Sequence, residues 1–159
     1  MWQRVHDALR DTVRVHAGRD ALPTAAVIDS RTVACRGHGV LHERRLDAGK
    51  KTKGRKRHIA TDTGGLLLAV VVTAASIQDR RRASLVLTAL HERASTVRHV
   101  WADGGYAARL ATWAATVLSL TVQIVRRTDR TAGFVVLPRR WVVERTYDWI
   151  NKHRWCVSD

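Results

Sequence analysis

The order in which strand-like and helix-like segments follow one another restricts this chain more than any single residue does. Residues 25–28 (AAVI) form a short apolar run ending on Asp29. Residues 58–62 and 66–75 flank the turn Thr63-Gly64-Gly65, so all three runs read as strands. The periodicity then changes. Residues 79–94 carry Ala83, Val86, Leu87 and Leu90 at helical spacing, and 97–101 read as a strand. Residues 107–118 read as a helix, 121–125 as a strand and 139–154 as a last helix. The order β-β-β-α-β-α-β-α predicts an α/β architecture, a mixed five-stranded sheet flanked by helices. Val70-Val71-Val72 is the strongest β signal, and its unbroken apolar character predicts a central strand buried on both faces. Ahead of these segments, Trp2, Val5, Leu9, Val13 and Ala17 recur about every fourth residue and predict an amphipathic helix.

Charge narrows the choice of partner. The chain has 159 residues, 45% of them hydrophobic, which supplies a core for one domain. Its 28 Lys and Arg against 14 Asp and Glu give a net charge of +14. Such an excess disfavours an enzyme for small neutral substrates and points to a polyanion, foremost nucleic acid. No apolar run approaches the roughly 20 residues that cross a bilayer, and the first residues (MWQRVHDALR) lack the apolar stretch of a signal peptide. Two cysteines, Cys35 and Cys156, suit a reducing compartment, so a cytoplasmic, nucleoid-associated protein without membrane contact is expected.

The basic residues concentrate between positions 44 and 57: Arg44, Arg45, Lys50, Lys51, Lys53, Arg55, Lys56 and Arg57, with Asp47 the one acid among them. Residues 36–57 are polar and Gly-bearing, and read as a loop or hairpin entry. A charge run of this kind is either a solvated face or a grip on the nucleic-acid backbone. Its position directly before a strand favours the grip, which positions a duplex without reading its sequence. Trp2, Trp113 and Trp149 fall on apolar helix faces and are expected to pack in the core, as is Trp141.

Three acids stand apart from the solvated ones. Asp29 follows AAVI and Asp103 follows VRHVWA, so each lies at or just beyond a strand that should be interior. A buried carboxylate needs a cation, a hydrogen-bond network or a metal, although an aspartate before Gly104-Gly105 also suits a simple turn cap. Glu144 lies on the last helix at the margin of its apolar stripe, beside Arg140 one turn earlier, and taken alone it is best read as an ordinary i, i+4 ion pair. Taken together, the three suit phosphodiester cleavage. That chemistry needs an activated nucleophile and a stabilised leaving oxygen, and two hard divalent ions held by carboxylates supply both.

The strings AAVIDSRTV, DAGKKTKGRKRHIATDTGGLLLAVVVTAASIQDR, VWADGGYA and GFVVLPRRWVVERTYDWINKHR resemble the catalytic part of DDE transposases of bacterial insertion sequences, the insertion-sequence-five type within the insertion-sequence-four-like set. The resemblance implies a ribonuclease-H-like fold, with Asp29, Asp103 and Glu144 as the D, D and E that hold two Mg²⁺ (or Mn²⁺) ions. It implies metal-dependent DNA strand cleavage and transfer of the freed 3′-hydroxyl during transposition. Its partners would be double-stranded DNA of the element ends and target, with a homo-oligomer assembled on that DNA. Arg140 matches the arginine four before the glutamate, whereas the family's tyrosine position holds Leu137 and its later basic position Asn151, with Lys152 adjacent. The expected organisation is an N-terminal helical segment (1–24), the catalytic domain (25–154) and a truncated tail (155–159). The alternative is a catalytically inactive, DNA-binding transposase remnant.

Overall fold

The computed structural model describes residues 1–34, 46–47, 52–75, 79–104, 106, 109–125, 140–153 and 156. Its elements run α1 (Trp2–His16), β1 (Ala25–Ala34), β2 (Leu46–Asp47), β3 (Thr52–Asp62), β4 (Leu67–Ala74), α2 (Asp79–Arg93), β5 (His99–Ala102), α3 (Arg109–Leu118), β6 (Thr121–Ile124) and α4 (Arg140–Asn151). Five strands lie in the order β4-β3-β1-β5-β6, and β2 adds a two-residue ladder to β3. The sheet is mixed. β3 is antiparallel to both β1 and β4, while β1–β5 and β5–β6 are parallel. Connection length explains the division: the short turn after Asp62 permits only an antiparallel return, whereas α2 and α3 lie between strands that run parallel to their neighbours.

Alternation along β1 sends successive side chains to two different cores. Ala26 and Ile28 join Ala60, Val100 and Ala102 beneath α2 and α3, against Val86, Leu87, Leu90, Leu110 and Ala114. Val27 points the other way, into a smaller cluster with Ile59, Trp101, Val143 and Tyr147, which α4 covers. The face beneath α4 is therefore the face of odd-numbered residues on β1 and β5.

The β3–β4 turn is held by a carboxylate. Asp62 is fully buried; its Oδ1 accepts from the Gly64 and Leu66 amides, both at 2.8 Å, and its Oδ2 pairs with the buried Arg14 of α1. Arg14 also donates through Nε to the Asp20 carbonyl at 2.8 Å. The first helix is thus fastened to the sheet by charge.

Three expectations need correction. Val70-Val71-Val72 lies on an edge strand, since among the described residues β4 pairs only with β3, and Val72 is 51% exposed. An apolar run reports burial only when a neighbour covers it, and position in the sheet is not encoded locally. The apolar stripe of α1 faces outward: Trp2 is 83% exposed, with Val5, Leu9 and Val13 also exposed, whereas Arg10 and Arg14 are buried. Pairing of Arg14 with Asp62 turns the helix this way, so Trp2 does not pack in the core, and neither Trp141 nor Trp149 is buried. Finally, β1 continues through Ala34 and β3 begins at Thr52, in a ladder from Ala26↔Asp62 to Ala34↔Gly54. Asp29 accordingly stands inside a strand, and Lys53, Arg55, Lys56 and Arg57 belong to β3 and not to a loop.

Candidate active site

Parity along two parallel strands brings two of the acids to the same face. Val27 pairs with Trp101 across β1 and β5, and both lie under α4. Two residues further along each strand direction stand Asp29 and Asp103. Period-two alternation keeps Asp29 on that face, and Asp103 follows directly where β5 ends at Ala102. The Asp103 carbonyl accepts from the Tyr106 amide at 3.1 Å, which turns the chain away from the sheet and leaves the Asp103 side chain half-buried.

Helix α4 brings the third. Val142, Val143, Thr146 and Tyr147 are buried, and Glu144 is exposed on the flank next to that stripe. Two contacts fix the register of the helix on the β3–β4 turn: Arg145 Nη2 donates to the Gly64 carbonyl at 2.6 Å, and Thr146 Oγ1 to the Gly65 carbonyl at 2.8 Å. Gly65 has φ +89°, and a Cβ there would lie 2.9 Å from Arg145 Nη2 and 3.2 Å from Thr146 Oγ1. Glycine is needed for both the dihedral and the close approach. The Arg145 guanidinium lies 4.6 Å from the Trp141 ring centre and 4.7 Å from that of Trp149, a cation between two aromatic rings that lie one turn before it and one turn after it.

Tyr147 closes the floor. Its hydroxyl donates to the Arg57 carbonyl at 2.5 Å, with the Asp29 carbonyl also at 3.2 Å, so one phenol spans β3 and β1 beside the acid. Burial, reinforced by the nearby Asp29 charge, pushes the phenol well above its ordinary range, so it stays a donor.

Asp29, Ser30, Arg31, Asp103, Glu144, Tyr147 and Asp148 line one cleft of about 360 Å³. Arg31 and Asp148, which the sequence did not single out as site residues, face each other there as an ion pair at 3.2 Å. The period-two step from Asp29 to Arg31 was the available signal for the arginine. Among the described residues, no three His, Cys, Asp or Glu side chains are gathered into a ready metal cluster. The acids share the cleft without having converged. The donor set, carboxylate oxygens with no imidazole or thiolate lining the cleft among the described residues, fits a hard ion such as Mg²⁺ or Mn²⁺.

The cationic residues divide differently from expectation. Arg140 opens α4, one turn before Glu144. Arg44, Arg45, Lys50 and Lys51 lie outside the described residues. Arg55 is exposed, but Lys56 is buried and so does not present its ammonium to a surface ligand. Arg57 is half-buried and donates to the Cys156 carbonyl.

A family model described as the transposase DDE domain matches residues 20–158. No curated protein matches the sequence. Among solved structures, the chain is similar to the piggyBac transposase in a synaptic complex with hairpin DNA, with 17% identity and a TM-score of 0.43 over 69% of this chain and 24% of that one. It is also similar to the Mos1 strand transfer complex, with 15% identity and a TM-score of 0.40 over 74% and 39% respectively. The Drosophila P element transposase strand transfer complex gives 13% identity and a TM-score of 0.34 over 65% and 26%. The chain spans between about a quarter and two fifths of the length of these structures.

Proposed function

The chain belongs to the DDE transposase domain family, and from that premise we propose that it is the catalytic domain of an insertion-sequence transposase that cuts DNA strands and joins 3′-hydroxyl ends to a target. One observation carries the reading: Asp29 from β1, Asp103 from the end of β5 and Glu144 from α4 line the same cleft. The strand order β4-β3-β1-β5-β6, with α4 over one face, supports a ribonuclease-H-like arrangement.

Asp29, Asp103 and Glu144 would hold two Mg²⁺ or Mn²⁺ ions. Bound there, the ions supply activation of the attacking oxygen and charge stabilisation for the leaving one. The chain's own part is placement. β1 and β5 fix two carboxylates on one rigid sheet, and the Gly64–Gly65 clamp on Arg145 and Thr146 sets how far α4 brings the third. Arg140 would hold a non-bridging phosphate oxygen, and Arg55, with the basic residues at 44, 45, 50, 51 and 53, would grip the backbone of element ends and target. Lys56, which is buried, and Arg57, which is half-buried and donates to the Cys156 carbonyl, are less open to that backbone than Arg55. The working form would be a homo-oligomer on double-stranded DNA in the cytoplasm of a bacterium, bound to the nucleoid. Among the described residues no helix is long and apolar enough to cross a membrane.

The test is cleavage of a supercoiled plasmid and of short duplexes in Mg²⁺ or Mn²⁺ by the full chain and by Asp29→Asn, Asp103→Asn and Glu144→Gln. Cleavage by the parent, lost in all three variants with DNA binding retained, is the expected result. Binding without cleavage, unchanged by Asp103→Asn, overturns the enzymatic reading and leaves the inactive DNA-binding remnant. Cleavage without joining of 3′ ends reduces the function to that of a nuclease.

A further inference from the structure

Four carboxylates line the cleft, and a DNA phosphate entering it meets their repulsion. Among the described lining residues the one cation is Arg31. It follows Asp29 by two positions on β1 and so projects from the same face of the sheet, opposite Arg57 of β3. Its guanidinium carbon lies 5.7 Å from the centre of the Tyr147 ring, which supports the side chain from below.

The partner that holds it is a weak one. Arg31 Nη1 makes one contact of 3.2 Å with Asp148 Oδ1, and the two side chains are 47% and 67% exposed. An exposed single-point ion pair adds little stability, whereas a phosphate offers the planar guanidinium a two-point, charge-assisted contact. Asp148 follows Glu144 by one helical turn, so the acid that occupies the arginine stands on the same flank of α4 as the proposed third ligand.

We propose that Arg31 binds a backbone phosphate of the DNA strand in this cleft, and that Asp148 is its built-in competitor, occupying the guanidinium until a phosphate displaces it. The inference rests on the transposase reading of the same cleft and adds to it a substrate-binding residue and an element of selectivity. A ligand lacking a two-point anionic group leaves the Arg31–Asp148 pair closed. Binding of a duplex exchanges one ion pair for another, and the displaced Asp148 carboxylate returns to water with no covalent change.

The experiment is duplex binding by fluorescence anisotropy across a salt series, on the full chain and without divalent metal, so that no cleavage is needed. Arg31→Ala should weaken binding about five- to tenfold near 0.1 M salt and reduce the salt slope by about 1. Asp148→Asn should tighten binding about two- to fivefold, the gain from removing an exposed ion pair that competes. Glu92→Gln, which removes the same charge from an exposed site on α2, should produce a smaller change. In the R31A background, Asp148→Asn should tighten binding no more than Glu92→Gln does. Arg31→Lys, which keeps the charge but not the planar fork, should restore the salt slope and part of the affinity.

Parent-like affinity and slope in both Arg31→Ala and Asp148→Asn, with melting unchanged, overturn the assignment, while cleavage by the parent and its loss in Asp103→Asn leave the transposase reading intact. Equal tightening by Asp148→Asn with and without Arg31 overturns the competitor role. Failure of the parent to bind any duplex overturns both readings at once.

Discussion

Replacing Asp62 by Ala is the sharpest test of how this fold is tied together. The carboxylate is fully buried and holds three groups: the amides of Gly64 and Leu66, each at 2.8 Å, and the Arg14 guanidinium. Removing it leaves Arg14 as a buried cation whose remaining described partner is the Asp20 carbonyl. Deleting one partner of a buried pair costs about 3–5 kcal/mol, because the other charge stays desolvated and uncompensated. For a chain of this length each kcal/mol lowers the melting midpoint by about 2–4 °C, so a drop of about 6–20 °C is expected by calorimetry or circular dichroism. Asp62→Asn separates the two halves of the role. It keeps an oxygen for the turn amides but presents an NH₂ to Arg14, so it should recover only part of the loss. Arg14→Met leaves the carboxylate with its two amide donors and should cost less than Asp62→Ala. The pair should then show a coupling energy above about 0.5 kcal/mol in a double-mutant cycle. Asp62→Ala within about 1 kcal/mol of the parent, or additive single effects, would refute this account of how α1 and the turn are fastened.

Three further outcomes concern residues at and around the cleft. Gly65→Ala must adopt φ +89° and bring its Cβ to 2.9 Å from Arg145 Nη2, so it should destabilise by about 1–3 kcal/mol, read as a shift in urea midpoint. Gly104→Ala, with open space around it, should stay within about 0.5 kcal/mol. Tyr147 has a folded-state phenol raised above its ordinary value, so the folded protein holds that proton where the unfolded chain has released it. The associated stability is complete below about pH 10 and is lost as pH rises above it, and Tyr147→Phe should flatten that part of the stability–pH curve.

Much of the site was legible because its signals are local. AAVI before Asp29 and VWA before Asp103 announce strands that lead into an acid, whereas the parallel β1–β5 register that puts both acids on one face is a pairing between distant segments. Glu144 was readable from the stripe of Val142, Val143, Thr146 and Tyr147 beside it. What escaped depends on contacts between distant residues. Asp62 reads as an ordinary turn residue before Thr63-Gly64-Gly65, and nothing near it indicates a partner on α1. The same pair reverses the facing of α1, so its regular apolar spacing predicted the opposite side. Val70 to Val72 misled for a related reason: the run states a preference for burial, and among the described strands β4 has a neighbour on one side only. Arg31 and Asp148 meet across 117 positions of chain and carry no local mark as a pair.

Glu144 sits on the last helix, and that helix finds its place only by closing over Val27, Ile59 and Trp101 and gripping the Gly64–Gly65 turn. During synthesis the two aspartates and the sheet that holds them emerge well before it. A polypeptide still on the ribosome, or one cut short before residue 140, would therefore hold Asp29 and Asp103 without the Glu144 that lines the cleft beside them. On the proposed reading of the cleft, the full set of carboxylates would be assembled only once α4 has been made and has docked.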